Sequence, residues 1–460
     1  MSNNHTKIFL VWSNEIKGRF DPAFYDPSII QIMERLSKKK TYKLGDLITD
    51  ISGGATPKVT GDFYSENDGV PFLRVQNITE EGIKLDDVKY IKREVHETQL
   101  KRSQLKTGDV VFTITGRIGS VAVVPENFEG NINQHSVRFH LKDEHDGIEI
   151  LPEFVAIFFN TEFGRALSLR HVTGGTRPAL DYTALKNLDV PLPSLSIQKE
   201  IVKKVEKVYT EKREKEEEIK KLLASIDDYV LGELGIATER ERVSSAAPES
   251  YVIWSDVIER RLDPMYFHPA RMRAIESIKK SNLPISPLSE VVNFRRELVG
   301  EIPENLPYVG LENIVSNSGE YVETGEKESV SSAFVFKKGD VLFPKLRPYL
   351  NKVFYADFDG VCSTEFHVLE AEKCSPFFLF SFLSRSVVVE QTSRLMTGNT
   401  LPRLQTDDVK ELLVPIPKEE KQEKITSGVR DYYEKMRNLR EEATTILSGA
   451  QAQVEQMILA

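Results

Sequence analysis

The 460-residue chain holds only two cysteines, Cys362 and Cys374, with no paired spacing. A disulfide framework and a zinc knuckle are therefore not expected, a reducing compartment is favoured, and both thiols read as buried. No stretch approaches the ~18 uninterrupted apolar residues of a membrane span, and the amino terminus lacks a basic start followed by an apolar run. A soluble, cytoplasmic protein with no membrane partner is expected. Nucleotide chemistry is absent as well: there is no Gly-x-x-x-x-Gly-Lys-Ser/Thr loop and no Gly-x-Gly-x-x-Gly between a strand and a helix. An amino-methyltransferase would need an Asp/Asn-Pro-Pro-Tyr/Phe turn, and the nearest match, Asp21-Pro22-Ala23-Phe24, lacks the second proline and any strand before it. The eight histidines show no metal-ligand spacing, and no set of carboxylates with a lysine suggests a nuclease. The chain is expected to be non-catalytic, with no metal and no cofactor of its own.

Basic excess is missing too. A net charge of −9 and a pI near 5.6 argue against a nucleic-acid partner, because neutralising phosphates demands a basic surface. Local distribution softens this. Residues 91–106 carry Lys92, Arg93, Lys101, Arg102 and Lys106, and 337–352 carry Lys337, Lys338, Lys345, Arg347 and Lys352. Such runs are most often solvated faces and decide little alone.

What the chain has is a second copy of itself. Val11-Trp12-Ser13-Asn14 through Asp26-Pro27 returns as Ile253-Trp254-Ser255-Asp256 through His268-Pro269 at an offset of 242, and both tryptophans lie in this motif. Val70-Pro71-Phe72 and Gln76-Asn77-Ile78 return as Leu306-Pro307-Tyr308 and Glu312-Asn313-Ile314 at offset 236, and Gly108-Asp109-Val110 as Gly339-Asp340-Val341 at offset 231. Thr173-Gly174-Gly175-Thr176 and Val190-Pro191-Leu192-Pro193 return as Thr397-Gly398-Asn399-Thr400 and Val414-Pro415-Ile416-Pro417 at offset 224. The offset falls by 18 residues, from 242 to 224, within the globular part and is constant beyond it. A shared frame with differently built contents suits two readers of two different targets.

Beyond each proline run the pattern turns periodic. Ile201, Val205, Val208, Lys212, Lys215, Ile219, Leu222 and Ile226 step by four and three, and offset 224 gives Ile425, Val429, Tyr432, Met436, Leu439, Ala443, Ile446 and Ala450. Each copy thus predicts a long helix of ~55–60 Å whose seam must be buried, the other helix being the partner of matching register. A pseudo-two-fold axis would lay the two antiparallel in a coiled coil. Lys212 and Lys215 interrupt the seam; their stems are expected to snorkel at its edge, the alternative being that they set orientation or bind a partner. The globular parts read as short strands at 110–114, 121–124, 341–343 and 352–355, with a helix at 152–170 and another at 376–395. The expected class is α+β, in two tandem modules of mixed strands and short helices, each followed by a long helix.

Taken together, these residues resemble the DNA specificity subunit of Type I restriction–modification systems. The resemblance rests on Ser52-Gly53-Gly54-Ala55-Thr56-Pro57, on Gly116-Arg117-Ile118-Gly119-Ser120-Val121, on Gly339-Asp340-Val341-Leu342-Phe343-Pro344-Lys345-Leu346-Arg347-Pro348-Tyr349 and on Cys362-Ser363-Thr364-Glu365-Phe366. It rests also on the proline run into Gln198-Lys199-Glu200 or Gln422-Glu423-Lys424. It implies target-recognition domains at 1–193 and 251–417, spacer helices at 194–236 and 418–460, and a linker at 237–250. Each domain would read half of a bipartite, asymmetric, gapped site in double-stranded DNA. The helices would set the gap and dock two modification subunits carrying S-adenosylmethionine, which methylate adenine, while motor-nuclease subunits using ATP and Mg cleave unmodified DNA. One departure is that Gly53-Gly54-Ala55-Thr56-Pro57 has no counterpart in the second module, where Phe294-Arg295-Arg296 stands.

Base reading favours Arg or Lys on guanine and Asn or Gln on adenine, with phosphate contacts positioning the domain. The candidates are Thr56, Lys58, Arg74, Gln76, Asn77 and Arg117 in the first module, and Arg295, Arg296, Asn313, Lys345, Arg347 and Tyr349 in the second. Gln76 and Asn77 could simply build the shared fold, because Asn77-Ile78 and Asn313-Ile314 recur in both copies; Arg117 and Arg347 are taken as equivalent and are expected on phosphates. Seam and docking candidates are Ile201, Val205, Val208, Ile219, Leu222, Ile226, Ile425, Val429, Tyr432, Met436, Leu439 and Ile446. The competing reading is a helical scaffold whose modules bind protein surfaces without reading DNA.

Overall fold

The computed structural model describes residues 10–13, 16, 20–57, 62–65, 68–174, 178–237, 252–254, 263–300, 306–323, 332–396 and 402–459. Two compact units emerge, Met1–Glu214 with Glu442–Ala460, and Lys215–Glu441. Residues 14–15, 17–19 and 255–262 of the duplicated tryptophan motif, and the linker beyond residue 237, lie outside the described residues. Trp12 and Trp254 are themselves described, 70% and 71% exposed.

In the first unit, an antiparallel sheet runs in the order Ile48–Gly53, Ser136–Leu141, Val110–Thr113, Val121–Val123. Val110, Val111 and Phe112 are fully buried, so this strand reads as a continuous apolar run rather than an alternating one. One of its faces is covered by helices Pro152–Asn160 and Glu162–Arg170, with Phe112 edge-on to Phe159 at 5.3 Å. The sequence predicts one helix over 152–170; the structure breaks it at Thr161, whose extended backbone ends the first piece and whose hydroxyl caps Gly164 N of the second. The predicted helix at 376–395 divides likewise into Pro376–Leu383 and Ser386–Thr392, with Arg385 extended between them.

The second unit repeats the main sheet as Val292–Arg295, Phe366–Ala371, Val341–Pro344, Phe354–Tyr355. A smaller sheet is where the modules diverge. Both keep a parallel pair, Val70–Leu73 beside Asn131–Ile132 and Tyr308–Val309 beside Gly360–Ser363. In the first unit the next strand, Lys89–Ile91, pairs with Val70–Leu73, whereas in the second Ala333–Phe336 pairs with Gly360–Ser363, on the opposite member of the pair. This rearrangement falls in the stretch where the repeat offset drifts.

Helices Leu195–Leu234 and Glu419–Leu459 match the predicted spans to within two residues. Each contributes to both units. The first unit's core joins Phe139, Phe154 and Phe158 to Ile201 of the first helix and to Val454 and Ile458 of the second. The second unit's core joins Phe378 and Phe382 to Ile226 and Val230 of the first helix and to Ile425 and Met436 of the second. Within the second unit the two run antiparallel: Tyr229 packs against Tyr432 with ring centroids 5.9 Å apart, and one turn later on the first helix Glu233 pairs with the earlier Lys424 of the second at 2.9 Å. Every predicted seam position is buried or half-buried, the two lysines included.

A buried glutamine fixes each module to the start of its helix. Gln198 donates to Glu149 O and Pro193 O and accepts from Leu151 N, at 2.9, 2.9 and 3.0 Å. Gln422 donates to Pro417 O and accepts from Ser375 N, at 2.9 and 2.8 Å. A side-chain amide suits this junction because it donates and accepts at once, satisfying backbone groups that the helix start leaves unpaired.

Candidate nucleic-acid interface

At one end of each main sheet, three loops are tied together by the same backbone bonds. In the first unit Ile114 N donates to His135 O at 2.9 Å, Leu180 N donates to Ile114 O at 2.9 Å, and Thr115 bridges Ala179. In the second, Lys345 N donates to Glu365 O at 2.7 Å, Leu404 N donates to Lys345 O at 2.9 Å, and Leu346 bridges Arg403. The backbone frame is common and its side chains differ: His135 becomes Glu365, Thr115 becomes Leu346, and Ala179 becomes Arg403.

That register corrects one expectation. Arg117 and Arg347, taken as equivalent, are one residue apart: Arg347 matches Gly116, and both have positive φ, 48° and 69°. A left-handed conformation is costly for arginine, so the loop holds it there, with Arg347 N donating to Pro402 O at 3.1 Å. Both arginines are exposed, as are Arg296 and Tyr349, and no ion pair holds the three guanidinium groups among the described residues.

The other candidates are more committed. Asn77 is buried, accepting from Arg74 N at 3.0 Å and donating to Lys84 O and Asp86 O at 3.0 and 3.2 Å. Asn313 repeats this between Gly310 N and Val322 O, at 2.8 and 3.1 Å. Both asparagines build loops. Arg74 and the exposed Gln76 converge on Asp87 Oδ2 at 3.2 and 3.1 Å. Arg295 lies between Asp340 and Glu370, each at 3.1 Å, so its donors are engaged within the fold. Lys345 donates to Thr364 O at 2.7 Å over the Phe334 ring, and burial lowers its pKa. Lys58 lies outside the described residues.

Thr56 is exposed and joins a polar chain that sequence reading missed, through Gln134 to His135 and on to Thr115. Arg403 was missed too; it grips Glu365 through two nitrogens, at 2.9 and 2.7 Å. Neither Gln134-His135 nor Arg403 falls in a repeated motif, so only the tertiary frame brings them to the site.

Behind the second loop cluster, His367 is buried with its Nε2 unpaired and its ring edge-on to Phe294. Burial, reinforced by the Lys345, Arg296 and Lys410 charges, pushes its pKa down to about 3. An unfolded histidine takes a proton near ~6.5, so stability is full above that value and falls as pH drops toward the folded pKa. Urea unfolding at pH 5 is expected to show about 2 kcal/mol less stability than at pH 7, and His367→Phe to remove most of that difference. Equal slopes for the two chains would refute it.

A family model for the Type I restriction modification DNA specificity domain matches residues 37–223 and 294–447, well over half of the chain. The chain is 29% identical over 161 residues to the Type I restriction enzyme EcoBI specificity subunit of Escherichia coli, covering 35% of this chain and 33% of that protein. It is 25% identical over 178 residues to the EcoDI specificity subunit of Escherichia coli, covering 36% and 40%. The aligned parts thus span less than half the length of these curated relatives. Among solved structures, the S subunit of a Type I restriction-modification system from M. genitalium aligns over 91% of this chain and 95% of that one, with 14% identity and a TM-score of 0.41. With both of its repeated modules matched, the chain belongs to the Type I restriction modification DNA specificity family.

Proposed function

We propose that this chain is the sequence-reading subunit of a multisubunit DNA methylase and endonuclease and does no chemistry itself. Each module reads one half of a bipartite, asymmetric, gapped site in double-stranded DNA. The observation that carries this is the shared loop frame with changed side chains, His135 against Glu365 and Ala179 against Arg403, in two modules of one chain. Identical side chains would suit a palindrome; different ones suit two unlike half-sites.

The long helices supply the spacer and the docking seam for two modification subunits, which carry S-adenosylmethionine and methylate adenine. Motor-nuclease subunits using ATP and Mg cut unmodified DNA, in the cytoplasm. Partner surfaces add phosphate contacts that an acidic chain lacks. Arg117, Arg296, Arg347 and Tyr349 are the exposed groups best suited to DNA, whereas Asn77, Asn313 and Arg295 hold the loops that present them.

Base-resolution mapping of methylated adenines in cells carrying this chain with its modification subunits is expected to return a split motif with two different halves. A continuous motif would sink the two-reader model, and no sequence-dependent methylation would favour the scaffold reading. In the purified complex, Arg347→Ala is expected to cost about 1–3 kcal/mol of binding. Relaxation confined to one base position marks base contact; uniform weakening with a salt slope reduced by about one marks a phosphate.

A further inference from the structure

Loop presentation leaves unexplained the turn that follows Asn77-Ile78 in the first unit and Asn313-Ile314 in the second. In the first, Glu80 and Glu81 form the tip of the hairpin between Ile78–Thr79 and Gly82–Ile83. Their carboxylates part: Glu80 pairs with Arg165 of helix Glu162–Arg170, and Glu81 with Lys212 of the first long helix. Lys84 reaches the other Glu81 oxygen at 3.0 Å. The pair is largely withdrawn from water, with Glu81 9% and Lys212 20% exposed. Lys212 therefore does not snorkel at the seam edge; it ends on a carboxylate of the module.

The second unit makes the same joint from different positions. Between Ile314 and Tyr321, which bridge each other, Glu320 pairs with Arg440 of the second long helix, and Ser318 O accepts from the Tyr433 hydroxyl at 2.6 Å. The repeat offset of 224 would place Met436, not Arg440, opposite Lys212. The joint is thus kept between the two modules although its residues are not.

We propose that these two turns are mounting struts, in which Glu81–Lys212 and Glu320–Arg440 fix the tilt of each reading module on its own long helix. This rests on the reading of the chain as a DNA-recognition subunit. The glutamine clamps hold each module at the start of its helix, and apolar packing, which has no direction of its own, covers much of the remaining contact. The charged pair adds a directional contact farther along the helix, and at Glu81–Lys212, where both ends are shielded from water, separation is resisted because removing one partner leaves the other uncompensated. Glu81, Lys212, Glu320 and Arg440 are positioning residues that need touch no base. The first module depends more on its strut. In the second unit Arg385, 3% exposed and held by its own Nε bond to Ser381 O at 2.8 Å, adds a bond to Tyr433 of the second long helix. In the first, Thr161 stands in that place and a cavity of about 30 Å³ borders Tyr209.

The test uses the full chain in complex with its modification subunits. Glu320→Arg is expected to lower discrimination in the second module's half-site about tenfold while sparing the other half-site, and Glu320→Arg with Arg440→Glu to bring it back within about threefold. Glu81→Gln is expected to lower discrimination in the first half-site by at least as much. Amide exchange over residues 315–322, measured without DNA, reads the joint independently: protection lost in the single variant and regained in the double supports the strut. Unchanged protection, or a double variant as impaired as the single, overturns it. Protection that follows the swap while half-site discrimination stays at the wild-type level overturns the role in recognition alone. A wild-type complex without sequence preference would overturn the underlying reading instead.

Discussion

Ile226→Asp is expected to be the most damaging single change in the chain. Ile226 has no exposed surface and shares a core with Met436 of the second long helix and Phe382 of the second module. A carboxylate there is set among apolar side chains and cannot reach water, so the cost is about 4 kcal/mol or more, a large share of a domain's ~5–15 kcal/mol. The expected observation is early urea unfolding of the second unit together with loss of co-purification with modification subunits. An unchanged unfolding midpoint would refute the seam. Leu222→Asp in the second unit and Ile446→Asp in the first, both at half-buried positions, should each weaken their own unit to a smaller degree, because their side chains can turn toward solvent.

Gly54→Ala is expected to cost about 3 kcal/mol, through sterics alone. A Cβ on Gly54 would stand 2.0 Å from Asn133 O and 2.5 Å from Ile132 O, both backbone atoms. They cannot retreat, because Gly54 N donates to Ser136 O and Ala55 N donates to Ile132 O across the same contact. Gly53 is the control: its Cβ would meet chiefly the Tyr182 hydroxyl, the far end of a side chain that can swing away. Thermal unfolding of the two alanine variants should therefore separate clearly, with Gly54→Ala lower and its first half-site poorly recognised. Coincident transitions would count against the close approach.

The long helices were legible because their signal is local: a four-three rhythm repeated at a fixed offset needs no tertiary information. The main sheet was partly legible, since Val110–Thr113 and Val341–Pro344 are apolar runs beside repeated Gly-Asp turns. The helix breaks at Thr161 and Arg385 were not, because each depends on one residue's extended backbone inside an otherwise helical stretch. Among site residues, the repetition of Asn77 as Asn313 is the trace of a loop both build, each amide being buried against backbone groups. Arg295 looked like a free cation because its carboxylates, Asp340 and Glu370, lie 45 and 75 residues away. The Arg117 and Arg347 register slipped by one because a left-handed arginine carries no glycine to announce it. Gln134, His135 and Arg403 gave no sequence signal; only loop convergence reveals them.

Because Val454 and Ile458 complete the core that begins at Ile32 and Leu36, the first module has an unusual relation to the ribosome. Its own residues emerge early, at ~5–20 residues per second, yet some of its apolar contacts are made by residues synthesised only after the whole second unit. A nascent chain stopped after the first long helix would hold the first module with the apolar flank that Val454 and Ile458 cover left open to water, a surface prone to aggregate. Translation thus fixes an order of assembly: the first unit's core cannot close before the second unit has been made.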